Sequence, residues 1–322
     1  MTTITQNAGR TRPSWMSRFW AVVRYEMLWN IRKKKFIGMV IVAFIFSTIS
    51  LALPVLLSST TGGSITASPD YAVTFNPGSF AFFLFALVTA MNSISGEFES
   101  GTIVPLLTKP VSRTMVFLGK LFAVFIIILV TYALLFTYTT VGSIFVYGPQ
   151  NNLHLVPLTM IGSIISTFIW VAIILAVGAL SKNTMVAALA GFGLFMGLLV
   201  GVQIVPVFAG PSAALNFVPG PGATGTMNIT QGLTSIAHSV ATGTDNIGVN
   251  LVNYALHPAA NVNFAKMSFE LQNGTALQIN QGVVYTEPIS LVALRSLGVA
   301  FVYIVAFLFV AWYALKRTQI LD

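Results

Sequence analysis

Six apolar stretches, each long enough to cross a bilayer, leave this 322-residue chain few folds to choose from. They run from Phe36 to Leu57, Gly78 to Ser95, Met115 to Tyr147, Pro157 to Leu180, Met185 to Val207 and Ile289 to Leu315. A spanning helix needs roughly 20 mostly apolar residues, because only a helix satisfies its own backbone groups where water is excluded. Charged residues make up 7% of the chain and mean hydropathy is +0.84, whereas a soluble domain carries roughly 25% charged residues. The spacing predicts an all-α polytopic membrane protein.

Lys and Arg give the orientation. Thirteen of the 16 lie before the first span, between the second and third, between the fourth and fifth, or after the sixth, and Lys120 lies just inside the third span at the same end. The positive-inside rule places those segments, and both termini, in the cytoplasm, and we read the chain as a multi-pass protein of the plasma membrane. Only Lys266 and Arg295 fall on the other side. The net charge of +8 is thus a topology signal and not a nucleic-acid footprint. Residues Met1 to Pro13 are polar and read as a cytosolic tail, not a signal peptide. The chain has no cysteine, so it has no disulfide framework and no thiolate metal site. Its halves show no repeat, which argues against an inverted-repeat secondary transporter.

Trp15 to Lys35 is too polar to span. On a helix, Met16, Phe19, Trp20, Val23, Met27 and Ile31 form one stripe, with Arg18 opposite and Arg24 and Glu26 flanking. That pattern predicts a helix lying among lipid headgroups; a cytosolic extension of the first span is the alternative.

The loop after the second span, residues 96–114, holds the densest acidic cluster, Glu97 and Glu99. Gly101 and Pro110 bracket about two helical turns bearing Ile103, Leu106 and Leu107, and short loops seldom leave three aliphatics in water without a partner. A small docking helix follows from this. A loop folded back onto the membrane surface also satisfies it.

Here the sequence resembles the permease subunits of type-2 ABC exporters. The resemblance rests on Glu97 four residues before Gly101-Thr102, then Leu106-Leu107, Pro110-Val111-Ser112-Arg113 and Gly119-Lys120. The interfacial helix and the six spans extend it over the membrane part. It implies that Glu97, Glu99, Gly101, Thr102, Leu106, Leu107, Pro110 and Arg113 form a coupling helix seated in a separate ATP-binding subunit. It also implies two such subunits, and a second permease that is a copy or a paralogue. Pro105 departs from the pattern, and so does the length of the loop before the last span. No G-x-x-x-x-G-K-[ST] occurs in the sequence, so no usual P-loop is present to cradle phosphates. No cofactor is expected on this chain; ATP and Mg would sit on the partner. H-E-x-x-H and G-x-S-x-G are also missing, and we expect no enzyme activity in the chain itself.

Within the fifth span Ala190, Gly193, Gly197 and Gly201 form a smooth face that lets helices approach closely. By resemblance it is a seam between two permeases; packing inside one subunit is the other reading. Asn92 and Ser93, Thr131, Tyr132, Tyr138 and Gln203 are candidate conduit residues, though uncharged polar groups also glue helices together. Lys120 lies five residues into a long apolar run and is expected to snorkel to the inner surface. Arg295 is expected to pair with Glu287 at the outer rim.

Pro206 is expected to close the fifth span. Residues 208–288 then form an extracytoplasmic insertion with four charged residues, Asp245, Lys266, Glu270 and Glu287. Asn228 and Asn273 begin N-glycosylation patterns, which would make the chain a glycoprotein. Alternation at Val262 to Lys266 and Leu277 to Ile279 suggests strands, and Asp245 could cap a helix running to Leu256. His238 and His257 are 19 residues apart without clustered carboxylates, so no metal site is expected. The organisation read from sequence is therefore residues 1–35, tail and interfacial helix; 36–207, five spans and the coupling loop; 208–288, a small mixed α/β insertion; and 289–322, the last span and C-terminus. Export driven by a partner ATPase is the function this favours. A non-transporting membrane scaffold displaying the insertion is the rival.

Overall fold

The computed structural model describes residues 14–32, 34–61, 69–101, 112–231, 234–272 and 276–317. The N-terminal tail, Asn273, and Thr102, Leu106, Leu107 and Pro110 of the docking segment lie outside the described residues.

Among the described residues, six helical segments are long and apolar enough to cross a membrane. They are α2 (Lys34–Thr61), the pair α4 (Ser79–Ala90) and α5 (Ser95–Glu99), α6 (Arg113–Tyr147), α7 (Val156–Ser181), α8 (Thr184–Ala209) and α10 (Ile289–Arg317). The preceding α1 (Trp15–Arg32) packs against α6. A single turn, α3 (Tyr71–Thr74), precedes α4. The caps follow from the sequence. Ser112 accepts from the Met115 N–H to start α6, and Asn183 accepts from the Val186 N–H to start α8, each satisfying an otherwise orphaned donor.

Two boundaries differ from the sequence reading. The second span is interrupted: Met91 to Ile94 form turns, so Asn92 and Ser93 sit at a break between α4 and α5. And Pro206 does not end the fifth span, which continues as helix to Ala209. Proline removes a donor and crowds the preceding turn without forbidding continuation in apolar surroundings.

The centre of the bundle is α7, with 72% of its most apolar window buried, against 11% for α2 and for α10. Small residues explain this. Gly162, Ser163, Ser166, Thr167, Ala172, Ala176, Gly178 and Ala179 are buried along it, and helices associate in lipid by close packing where backbones can approach. Its large residue, Trp170, meets Phe83 of α4 and Phe195 of α8 edge-on at 5.7 and 5.3 Å, while those two rings stack at 4.5 Å. Each such aromatic pair contributes about 0.5–1.5 kcal/mol beyond its buried area.

The insertion is an antiparallel sheet of order β2-β1-β3-β4, from β1 (Thr224–Gln231), β2 (Thr234–Ala241), β3 (Asn261–Gln272) and β4 (Ala276–Pro288). Its apolar face, with Met227, Val240, Val262 and Phe264, closes onto Ile289 and Val292 of α10. β4 runs into α10 with no intervening residue. Between β2 and β3, a 3-10 turn (Thr244–Asn246) leads into α9 (Ile247–Leu256). Asp245 is not its cap: Asn246 holds that position and makes no side-chain cap bond. This helix reaches down against α7. A Cβ placed on Gly162 would lie 2.2 Å from Gly248 Cα, so the two backbones are in direct contact.

Candidate functional site

At the end of the bundle that carries the termini, one short element collects charges from several helices. Lys120, on the second turn of α6, is 4% exposed and donates to Glu26 of α1 at 2.5 Å and to Glu97 of α5 at 2.6 Å. This overturns the expectation that Lys120 snorkels to water. It lies ~10 Å along α6 from Arg113 at 1.5 Å per residue, and at that depth pairing with carboxylates is better than an unpaired charge. The same contact reorients α1. Its buried residues are Val23, Glu26 and Asn30, a face that includes a carboxylate and an amide, while Met16, Trp20 and Ile31 of the apolar stripe stand exposed.

Around this triad α5 is fastened on its other side. The Glu99 carboxylate accepts from the Thr184 N–H at 2.9 Å, at the positive end of the α8 dipole. The Thr184 hydroxyl donates to Ser95 Oγ at 3.2 Å. Lys182, in the left-handed conformation that ends α7, sits 5.8 Å over the Phe98 ring. Gly101, at φ +67°, turns the chain at the end of α5. Glu97 and Glu99, expected to face a docking partner, therefore face helices of their own chain. Arg113 donates to the Lys316 carbonyl at 2.9 Å, tying the start of α6 to the end of α10.

Residues 20–319 match the family described as ABC-2 family transporter protein. The chain belongs to this family. In this ABC-2 protein the six apolar segments make a multi-pass membrane protein, the membrane component of a transporter. Comparison with curated proteins finds no match.

The remaining sequence-predicted residues of the ABC-2 protein divide by environment. Thr131 and Tyr132 lie inside the bundle. Both are buried, with the Thr131 hydroxyl on the Ile127 carbonyl and the Tyr132 hydroxyl 2.7 Å from Thr167. The Tyr132–Thr167 contact joins α6 to α7, while the Thr131 bond stays within α6. Tyr138 and Thr48 share a 2.5 Å hydroxyl contact between α6 and α2. Gln203 is exposed, as are Ala190, Gly193 and Gly197. A Cβ on Gly193, Gly197 or Gly201 would meet nothing within 4 Å, so that face packs against no helix of its own subunit. Arg295 grips Glu287 through two bonds of 2.7 Å, with the guanidinium 5.8 Å over the Phe217 ring. Asn228 lies exposed on β1. Among the described residues no group of three or more metal-ligating side chains gathers.

A second polar cluster, which sequence reasoning missed, roots the insertion in the bundle. The Ser166 hydroxyl of α7 donates to the Thr244 carbonyl at 2.7 Å, and the Asn76 amide donates to the Asp245 carbonyl at 3.0 Å and to Asn246 Oδ1 at 2.7 Å. The Asp245 carboxyl is 2% exposed. Burial pushes its pKa up from 3.8 to about 6; Ser79 and Trp170 lie near enough to favour the charged form, yet neither closes a hydrogen bond of normal geometry to it. Desolvation therefore dominates. The sequence signal was present but faint: a carboxylate in a segment with few charges, flanked by Gly243 and Gly248.

Proposed function

We propose that this chain is the permease subunit of an ATP-driven exporter, working as a dimer of permeases with two separate ATP-binding subunits. The reading takes the termini and the 96–114 loop as cytoplasmic and the insertion as extracytoplasmic in the plasma membrane. ATP and Mg then belong to the partner, since this chain offers no phosphate cradle.

The observation that carries the reading is the charge hub. The element just before residues 102–111 is bonded to α6 through Glu97 and to α8 through Glu99 and Ser95, and reaches α1 through Lys120, which also holds Glu26. A push delivered to α5 by a closing ATPase would pass directly to α6 and α8, and to α1 through Lys120. In this division of labour Leu106 and Leu107 dock, while Glu97 and Glu99 transmit. Family membership and the positive-inside distribution of Lys and Arg support the same assignment. The open glycine face of α8 supports a seam with the second permease.

The test is copurification with an ATP-binding subunit after gentle solubilisation. Leu107→Asp is expected to abolish association while the chain still inserts and folds; retained association refutes docking by this segment. Gly197→Leu is expected to separate the permeases, and an unchanged dimer with unchanged export refutes the seam. On the other face, a mass shift in the peptides holding Asn228 or Asn273 would establish glycosylation.

A further inference from the structure

We propose that a cleft between α2, α4 and α6 is a binding site for one acyl chain of a membrane phospholipid, entered sideways from the leaflet nearest the insertion. The cleft has a volume of about 290 Å³, at the small end of ligand sites, enough for one chain and too little for a whole two-chain lipid. Its wall on α2 extends from Met39 to Ser50, ~16 Å at 1.5 Å per residue. It is thus long and narrow, and it runs along the helix.

Three observations select a lipid chain as occupant. The cleft lies within segments that cross the membrane, so the fluid at its opening is hydrocarbon. Its flank is open there: Phe46 and Phe80 are exposed at 61% and 46% beside it. And its polarity is one-ended. Met39, Ala43 and Leu84 line the deep part, the Ser47 hydroxyl above them is taken up by the Ala43 carbonyl, and Ser50 and Asn76 lie at the end nearest the insertion, where the Ser50 hydroxyl meets that of Tyr71 at 3.1 Å. A chain inserted tail-down would leave its polar end beside these groups. Asn76 is also the side chain that holds the Asp245 and Asn246 segment, so the occupant would sit directly against the root of the insertion.

The site depends on the membrane-crossing arrangement and not on ATPase docking, and the test reads labelling alone. The full chain is placed in nanodiscs of phosphatidylcholine bearing a diazirine midway along one acyl chain, irradiated, and mapped by peptide mass spectrometry. Adducts are expected on Ala43 and Leu84 severalfold above those on Ile41 and Ile45, which face away at similar depth. Ala43→Phe, or independently Ala81→Leu, is expected to remove the cleft adducts while leaving those on Ile41 and Ile45 unchanged. Equal labelling of both faces, or cleft adducts surviving both plugs, overturns the proposal. Cross-linking of Ala43→Cys to a second copy of the chain, without lipid adducts, would assign the cleft to a protein contact and overturn it as well.

Discussion

Replacing Lys120 by methionine tests whether the hub is held by charge. The substitution keeps the aliphatic stem and removes the ammonium that Glu26 and Glu97 share. Breaking a buried pair by deleting one partner costs about 3–5 kcal/mol, because a desolvated charge is left behind. Glu26, at 6% side-chain exposure, bears most of this; Glu97, at 18%, keeps some access to solvent. Glu26→Gln should cost no more than about 1–2 kcal/mol, since Lys120 retains Glu97 and the amide oxygen still accepts. The triple change Glu26→Gln, Glu97→Gln, Lys120→Met removes every charge of the triad, and replacing a buried ionic group as a whole is often nearly neutral. The expected order of stability is wild type, then Glu26→Gln and the triple variant, then Lys120→Met alone. Followed by tryptophan fluorescence during heating in detergent, Lys120→Met should melt on the order of 5–10 °C below wild type. If Lys120→Met melts with wild type, or the triple variant melts below Lys120→Met, the charges do not hold α1, α5 and α6 together.

Asp245 has a raised pKa in the folded chain, so the folded state holds its proton more tightly than the unfolded state does. Its seating is therefore firmest below pH 3.8 and weakens as pH rises through about 6, by on the order of 3 kcal/mol. Melting temperature should fall between pH 5 and 7, and Asp245→Asn should flatten that dependence; an unchanged slope in the variant refutes the assignment. Gly162→Ala places a methyl against the Gly248 backbone and should cost about 1–3 kcal/mol or more. Hydrogen exchange of residues 247–256 should rise, whereas Gly193→Ala, with open space around it, should leave it unchanged. Arg295→Lys replaces two bonds to Glu287 with one and should lower stability by about 1–2 kcal/mol in the same melting assay.

The spans were legible because a run of apolar residues has few alternatives in a bilayer, and their ends fell within a few residues of the helices observed. Strands β3 and β4 showed through alternation at Val262 to Lys266 and at Leu277 to Ile279. Strand β1, Thr224–Gln231, did not, because only Met227 and Ile229 alternate among polar residues on a half-exposed face. The Glu287–Arg295 pair was readable because eight residues separate its members. The triad was not: Glu26 and Lys120 are 94 residues apart, and no local period records a contact that helix packing creates. The break in the second span was hidden for a related reason. Apolar length says that a segment crosses, while Asn92 and Ser93 interrupt it only once α5 turns to meet α6 and α8. Nor does a single glycine such as Gly162 announce the backbone it will touch.

That backbone contact has a mechanical consequence. Besides the Asn76 and Ser166 bonds, the insertion is fixed through α9 on α7 and through the unbroken passage of β4 into α10. A sheet pinned to two adjacent spans cannot swivel by itself. It must tilt with them, so a probe on its far edge would act as the needle of a gauge, magnifying small rotations of α7 and α10 into displacements large enough to measure.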